Sequence, residues 1–333
     1  MTGVSVIITC FNLEKYIGLA IESVLSQRFA GELEMLVVDD CSSDGSASVI
    51  SRYPEVTMLS TPTNSGVLLA TVLGLREARH EIVAFLDGDD IWRKDKLGAL
   101  ARAFQADATL GLVTHDLRYI DSDGTEIARV SRPSQAIPLE ATPCEVDRLI
   151  RDGILKQGDY VWLGSAYALR PSLIDVDGFC TFAECLPDPR NTYQDWPLAV
   201  WCAAQPNVGM GYIPEKLFDY RLHQANHSGD ARTPDRAIRN INRTLNTMIA
   251  TDKIVQRMGP VSPTVSRAIR RKLRYCEYLL DLYQGARFRA ILGFLASQGY
   301  VWKGDVCAWK EYARFIGIQL LGSRRFVRLA ARW

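Results

Sequence analysis

This 333-residue chain contains no stretch of about 18 uncharged apolar residues, so no helix is expected to cross a membrane. Several signatures of large enzyme classes are also missing. No G-x-G-x-x-G follows the first apolar run and no G-x-x-x-x-G-K-[ST] occurs, which argues against a dinucleotide dehydrogenase and a P-loop NTPase. There is no G-x-S-x-G nucleophile elbow. Residues 9–16 contain no glycine, unlike the early Gly-rich loop that a triphosphate-using nucleotidyltransferase needs. The eight cysteines (Cys10, Cys41, Cys144, Cys180, Cys185, Cys202, Cys276, Cys307) include no C-x-x-C pair, which argues against a zinc ribbon and for free thiols in a reducing compartment. Only four histidines are present. His223 and His227 stand four apart, but their polar, glycine-containing surroundings read as a loop and no Cys or Glu completes a zinc set.

The apolar fraction of 47% and the charged fraction of 23% are those of a globular protein, and the length suits about two domains. The first residues, Met-Thr-Gly-Val-Ser-Val-Ile-Ile-Thr, read as a strand and lack the basic region of a signal peptide. A net charge of +1 hides an asymmetry. Residues 1–234 carry 20 Lys and Arg against 32 Asp and Glu, a balance of −12; residues 235–333 carry 19 against 6, a balance of +13. An acidic body and a basic tail imply modules with different partners, or halves that attract each other.

Two periods alternate through the first hundred residues. Val4–Thr9, Met35–Val38, Val56–Leu59 and Ile82–Leu86 are short apolar runs that read as buried strands. Leu13–Gln27 and Ser65–Ala78 have helical spacing, and Asp44-Gly45-Ser46 opens another helix. Further on, Leu112–Ile120, Val161–Leu169 and Val208–Ile213 read as strands, Trp196–Ala204 as a helix and Pro133–Pro143 as a loop. Helical spacing dominates from about residue 235, broken at Gly259-Pro260, Ser262-Pro263, Gly285 and Gly299. The expected fold class is α/β, a mainly parallel Rossmann-like sheet flanked by helices, followed by a C-terminal helical region. The expected division is 1–110 and 111–232 as two halves of one sheet domain, with 233–333 as the basic helical region.

Ligands of parallel sheets sit beyond the carboxyl ends of the strands. Those ends carry Thr9 to Asn12, Asp39-Asp40, Thr61 to Asn64, and Asp87-Gly88-Asp89-Asp90. Crowded carboxylates repel and raise one another's pKa above the usual value of about 4, which a divalent cation would relieve. Asp87-Gly88-Asp89 sets two hard oxygen donors around a glycine turn, a pattern suited to Mg²⁺ or Mn²⁺ with substrate phosphates. By itself such a triplet is more often a turn or a helix cap. The residues also allow plainer roles: Glu14 near a helix start, Asp44 as an N-cap, Asp195 as a cap and His223 as a loop hydrogen-bonder.

Four ordered blocks carry a resemblance: Val4 to Asn12 (VSVIITCFN), Val37 to Ser46 (VVDDCSSDGS), Asn64-Ser-Gly66, and Phe85 to Trp92 (FLDGDDIW). With Gly164-Ser-Ala166, Tyr193-Gln-Asp-Trp196 and Tyr220-Arg-Leu-His223 they resemble the family 2 glycosyltransferases of GT-A fold over about residues 3–228. The resemblance implies that Thr9, Phe11, Glu14 and Asp40 form the base pocket, with Asp40 accepting from the base. It implies that Asp87 and Gly88 face the nucleotide, that Asp89, Asp87 and His223 serve a Mn²⁺ or Mg²⁺ ion, and that Asp195 is the general base. Two departures stand out: Thr71 and Val72 occupy positions where the family often has Arg-Asn, and Gln194 stands where it commonly has Glu. Arg76 and Arg93 are then candidates to replace the missing diphosphate contact.

The resemblance thus implies a metal-dependent, inverting transferase moving a sugar from a nucleoside diphosphate, UDP favoured, to a hydroxyl of a glycan or lipid-linked acceptor in cell-surface polysaccharide synthesis. The alternative is a catalytically silent nucleotide-sugar-binding module. The basic tail, with Arg267, Arg270, Arg271, Lys272 and Arg274 beside Tyr275 and Tyr278, and Arg324, Arg325, Arg328 and Arg332 after an apolar stripe, suits an interfacial helix on anionic lipid. No nucleic-acid recognition motif accompanies it; a solvated bundle or homo-oligomer face is the competing use. The expected location is cytoplasmic, peripheral on the inner face of the membrane.

Overall fold

In a computed structural model the described residues are 2–128, 137, 141–155, 164–223, 233–258, 263–286, 289–293, 295 and 308–323. The chain divides into two compact units, Met1–His223 and Gln224–Trp333.

The first unit is built on one nine-stranded sheet. Its chain order is β1 (Gly3–Cys10), α1 (Ile17–Leu25), β2 (Glu32–Asp39), α2 (Ser46–Ile50), β3 (Val56–Ser60), α3 (Val67–Glu77), β4 (Ile82–Asp87), β5 (Ile91–Trp92), α4 (Lys96–Ala106), β6 (Leu110–Ile120), β7 (Glu126–Ile127), α5 (Pro143–Leu155), β8 (Ala168–Leu169), α6 (Val176–Glu184), α7 (Asp195–Ala203) and β9 (Gly209–Arg221). The spatial order is β3-β2-β1-β4-β8-β6-β9-β5, with β7 beside β6. β1 runs parallel to β2 and β4, and β2 to β3, while the short β8 is antiparallel to β4 and β6. β6 and β9 are parallel to each other, with register shifts near His115 and Asp116.

The apolar runs explain these placements. Every residue of β1 is buried, as a central parallel strand covered on both faces must be. α1 turns Ile17, Ala20, Ile21 and Val24 inward at helical spacing. α3 lies close on β1 because position 74 is glycine; a Cβ there would stand 2.5 Å from Ile7 Cγ2. The strand expected over Val161–Leu169 is much shorter. Gly164–Ala166 forms a 3-10 turn closed by Tyr167 N donating to Gly164 O at 2.9 Å, and only Ala168–Leu169 pairs in the sheet. Residues 161–163 lie outside the described residues, as do most of the loop expected over Pro133–Pro143, the breaks at 259–262 and 299, and Arg324, Arg325, Arg328 and Arg332.

The second unit contains α8 (Pro234–Arg257), α9 (Pro263–Gln284) and α10 (Ala308–Leu321). Thr233 caps α8 by accepting from Arg236 N. α9 ends at Gly285, whose φ of +80° takes the left-handed conformation that glycine adopts cheaply. Tyr275, Tyr278, Leu282, Ala290 and Ile318 form a small core. The tyrosines of α9 therefore face inward, while Arg267, Arg270, Arg271 and Arg274 are exposed. Among the described residues no helix is long and apolar enough to cross a membrane.

Candidate active site

The carboxyl edge of the sheet concentrates the candidate residues. β4 ends at Asp87, and Thr9 lies beside it in register on β1. Thr9 Oγ1 donates to Asp87 Oδ1 at 3.3 Å, and Gln194 Nε2 donates to the same oxygen at 2.8 Å. Gly88 N donates to Thr9 O at 2.9 Å, and a Cβ on Gly88 would stand 2.8 Å from that oxygen. The tight turn thus requires glycine between the two aspartates. Burial, reinforced by Asp89 and Asp195, pushes the Asp87 carboxyl up to about 7, while Thr9 and Gln194 oppose the rise.

Asp89 sits across the turn with His223 Nε2 at 2.9 Å from its Oδ2. The His223 ring leans on Tyr16 at 4.7 Å between centroids. Asp195 opens α7, where its Oδ1 accepts from Trp196 N at 2.8 Å. Burial raises the Asp195 carboxyl to about 6, against the pull of that N–H. A carboxyl at such a value is mostly ionised at neutrality yet more basic than an ordinary carboxylate, which suits it to taking a proton.

Beneath this group lies a hub that sequence reasoning did not single out. Asp90 is 1% exposed; its Oδ2 accepts from Ser165 Oγ at 2.7 Å and its Oδ1 from Arg221 N at 2.9 Å. Ser165 Oγ also accepts from Asp87 N at 3.0 Å. The fully buried Lys96 donates its ammonium to Ser165 O and lies 4.2 Å over the Trp92 ring. Arg221, also buried, donates to the carbonyls of Asp89, Asp121 and Ser122 and covers Tyr16 at 4.9 Å. Burial, then Asp89 and Asp87, drives the Asp90 carboxyl well above its ordinary value, and burial drives Lys96 well below its own. The hub anchors the D-x-D turn from below. In sequence Asp90 is one more residue of the acidic run, and Ser165 and Arg221 lie in the Gly164-Ser-Ala166 and Tyr220-Arg-Leu-His223 blocks, with nothing local to mark them as partners.

Other expected residues are placed differently. Asp40 is buried under the 61–66 loop. Its Oδ1 accepts from Thr61 Oγ1 (2.7 Å), Ser65 N and Ser65 Oγ (both 2.8 Å), and its Oδ2 from Gly66 N (2.7 Å). Asp39 accepts at 3.4 Å from Ser42 N. Glu14 is exposed and accepts from Gly45 N at 3.1 Å, tying the 11–16 segment to the start of α2. Phe11 follows β1 at the same edge and is partly exposed. Arg76 is paired with Glu184 at 3.0 Å and Arg93 stands 4.0 Å from Asp219. Asp188 caps its own turn through Asn191 N at 3.3 Å.

Among the described residues no three His, Cys, Asp or Glu side chains converge into a metal cage. The donor set still fits Mg²⁺ or Mn²⁺, which are commonly held by one or two carboxylates plus phosphate oxygens. Burial first, and then Asp89 and Asp195, raise the Asp87 carboxyl, and a bound divalent cation would offset that crowding.

A mostly parallel sheet whose central strand delivers an Asp-Gly-Asp turn to its carboxyl edge, with further carboxylates beside it, is the GT-A class of α/β fold. Solved structures agree. That of TarS 1–349 from S. aureus, in complex with UDP-GlcNAc, is similar with a TM-score of 0.57 at 17% identity over 90% of this chain and 91% of that one. The mannosyltransferase PcManGT from Pyrobaculum calidifontis, in complex with GDP-Man and Mn²⁺, gives 0.53 at 19% identity, covering 99% and 86%. Residues 5–155 match the family model for glycosyl transferase family 2. The putative teichuronic acid biosynthesis glycosyltransferase TuaG of Bacillus subtilis is 40% identical over 98 residues, 28% of this chain. The matched stretch spans 38% of that relative's length.

Proposed function

We propose that the chain is a metal-dependent, inverting glycosyltransferase that moves a sugar from a nucleoside diphosphate to a hydroxyl of a glycan or lipid-linked acceptor in cell-surface polysaccharide synthesis. The observation that carries this reading is the pairing of a charge-crowded Asp87-Gly88-Asp89 turn with Asp195, whose carboxyl is raised to about 6. The nucleotide-sugars in the two similar structures support a UDP- or GDP-sugar donor, with UDP favoured, and Mn²⁺ in one of them supports the ion. The relation to TuaG supports a surface-polymer acceptor.

Asp87 and Asp89 would hold Mn²⁺ or Mg²⁺, with His223 fixing the Asp89 rotamer. The ion would supply charge neutralisation for the departing diphosphate. Thr9 and Gln194 hold Asp87, and Gly88 lets the turn pack directly against β1. Asp195 takes the proton of the acceptor hydroxyl as it attacks C1 from the face opposite the diphosphate. One base and no second carboxylate acting as nucleophile favour inversion. Phe11 and the 9–14 segment would line the base pocket. Because Asp40 already holds four protein donors, Asp39 is the better acceptor for the base.

The exposed cations of α9 lie in the same unit as the exposed Leu292, Leu295, Ile316 and Leu320, a combination that supports peripheral binding to anionic lipid through the second unit.

A thermal-shift screen of nucleotide-sugars with Mn²⁺ tests the reading. One donor should stabilise by about 2.7 kcal/mol at a hundred times its Kd and then show turnover. Stabilisation without any release of nucleoside diphosphate would mark a silent binding module instead. No stabilisation by any donor would refute the assignment.

A further inference from the structure

Thr71 and Gln194, two of the three positions noted above as departures, are 123 residues apart and hydrogen-bonded to each other. Thr71 Oγ1, on α3, donates to Gln194 Oε1; Gln194 Nε2 donates onward to Asp87 Oδ1 at 2.8 Å. Both are buried, at 1% and 6% exposure. Thr71 Oγ1 is also 2.9 Å from Val67 O.

Donor counting makes this relay directional. An ionised Asp87 only accepts, so the Gln194 amide must turn its NH₂ toward it. That turn points the amide oxygen at position 71, which must then donate. A threonine hydroxyl has one proton, and both Gln194 Oε1 and the Val67 carbonyl lie within its reach. Charge supports the same arrangement. Asp87, Asp89, Asp90 and Asp195 already crowd the site, and a glutamate at 194 would set another carboxylate against Asp87. Thr71 offers no cation to neutralise it. A hydroxyl at 71 and an amide at 194 are therefore mutually required.

We infer that Thr71 and Gln194 form one coupled positioning pair, a neutral relay that fixes the rotamer of Asp87 and presents its carboxylate to the metal–nucleotide. The inference rests on the proposed nucleotide-sugar site. Neither residue touches the reacting atoms in this scheme; both act through Asp87.

The test uses the full chain and measures Kd for UDP and for GDP, each with Mn²⁺, alongside the Tm of the ligand-free protein. Thr71→Val keeps the shape and removes the donor, and should weaken binding about tenfold, the worth of one hydrogen bond in a chain ending on a charged acceptor. Thr71→Ser restores the hydroxyl and should bind within about twofold of the parent. Gln194→Met should lose at least as much as Thr71→Val, and the double variant no more than Gln194→Met alone, since the pair acts as a unit. If Gln194→Met fails to fold, the valine–serine comparison decides. An unchanged Kd with only a lowered Tm would reduce Thr71 to packing and overturn the inference. So would equal losses for valine and serine, or additive losses in the double variant. A parent that binds neither nucleotide would overturn the functional reading and the pair with it; a parent that binds, with variants that bind equally well, overturns the pair alone.

Discussion

Replacing Asp195 by asparagine should slow the proposed glycosyl transfer and stabilise the protein at once. The carboxyl has an ordinary value of 3.8 and stands at about 6 in the folded protein, raised by burial and only partly offset by the Trp196 N–H. Between those values the native state binds more protons than the unfolded chain. Stability therefore falls as pH rises from about 4 to about 6, and the full penalty is present above that. The gap of about two units sets a ceiling of about 3 kcal/mol, and partial exposure of the side chain lowers it to roughly 1–2 kcal/mol. Asp195→Asn keeps the hydrogen bond from Trp196 N and removes the charge. At pH 8 its Tm should exceed the parent's by about 2–8 °C, and the difference should shrink toward zero near pH 4. Turnover should fall roughly 10²- to 10⁴-fold with nucleotide affinity nearly unchanged, because a general base is lost while the donor contacts remain. Scanning calorimetry across pH, paired with kcat and nucleotide Kd, checks both halves. A gain in Tm that is the same at pH 4.5 and pH 8, or a variant with nearly full kcat, would refute the assignment and leave Asp195 as a helix-capping residue.

Mn²⁺-dependent UDP binding should weaken as pH falls from 8 to 6, by up to about tenfold per unit below 7, because Asp87 with its carboxyl at about 7 must lose a proton to ligate; calorimetric titrations at three pH values would show it. Asp89→Ala should abolish the Mn²⁺ dependence of UDP binding while leaving the fold intact, and a variant whose UDP affinity still falls on adding EDTA would contradict the ligand assignment. Asp40→Asn should cost roughly 2–3 kcal/mol in urea unfolding, because an amide NH₂ would face donors that now meet a carboxylate oxygen. Deletion after Ser323 removes Arg324, Arg325, Arg328 and Arg332 but spares Ile318 of the small helical core. It should reduce sedimentation with anionic liposomes, at about 1 kcal/mol per cation, and high salt should mimic it. Unchanged sedimentation in both would favour a bundle or oligomer face.

The alternation of short β-branched runs with helical spacing was enough to place β1 to β4 and to identify the carboxyl ends where Thr9, Asp39, Asp40, Asp87 and Asp89 lie. That information is local: strand length, helical period and the glycine of the D-x-D turn are all written within a few residues. The sequence also misled locally, where the apolar Val161–Leu169 run read as a strand although Gly164-Ser165 turns the chain to bring Ser165 between Asp87 and Asp90. Which carboxylates face one another was decided by the tertiary structure. Asp40 lies one residue beyond β2, yet its donors come from the 61–66 loop that the crossover to α3 brings over it. Asp90 reads like another member of the acidic run and is instead locked between Ser165 and Arg221, which arrive from distant segments. Thr71 and Gln194 look like two separate losses in sequence and become one hydrogen-bonded pair only when α3 packs beside the start of α7. Local pattern can say which residues reach the edge of the sheet. The hydrogen-bond partners of a buried polar group depend on long-range packing, because they come from whatever segment the fold brings within about 3 Å.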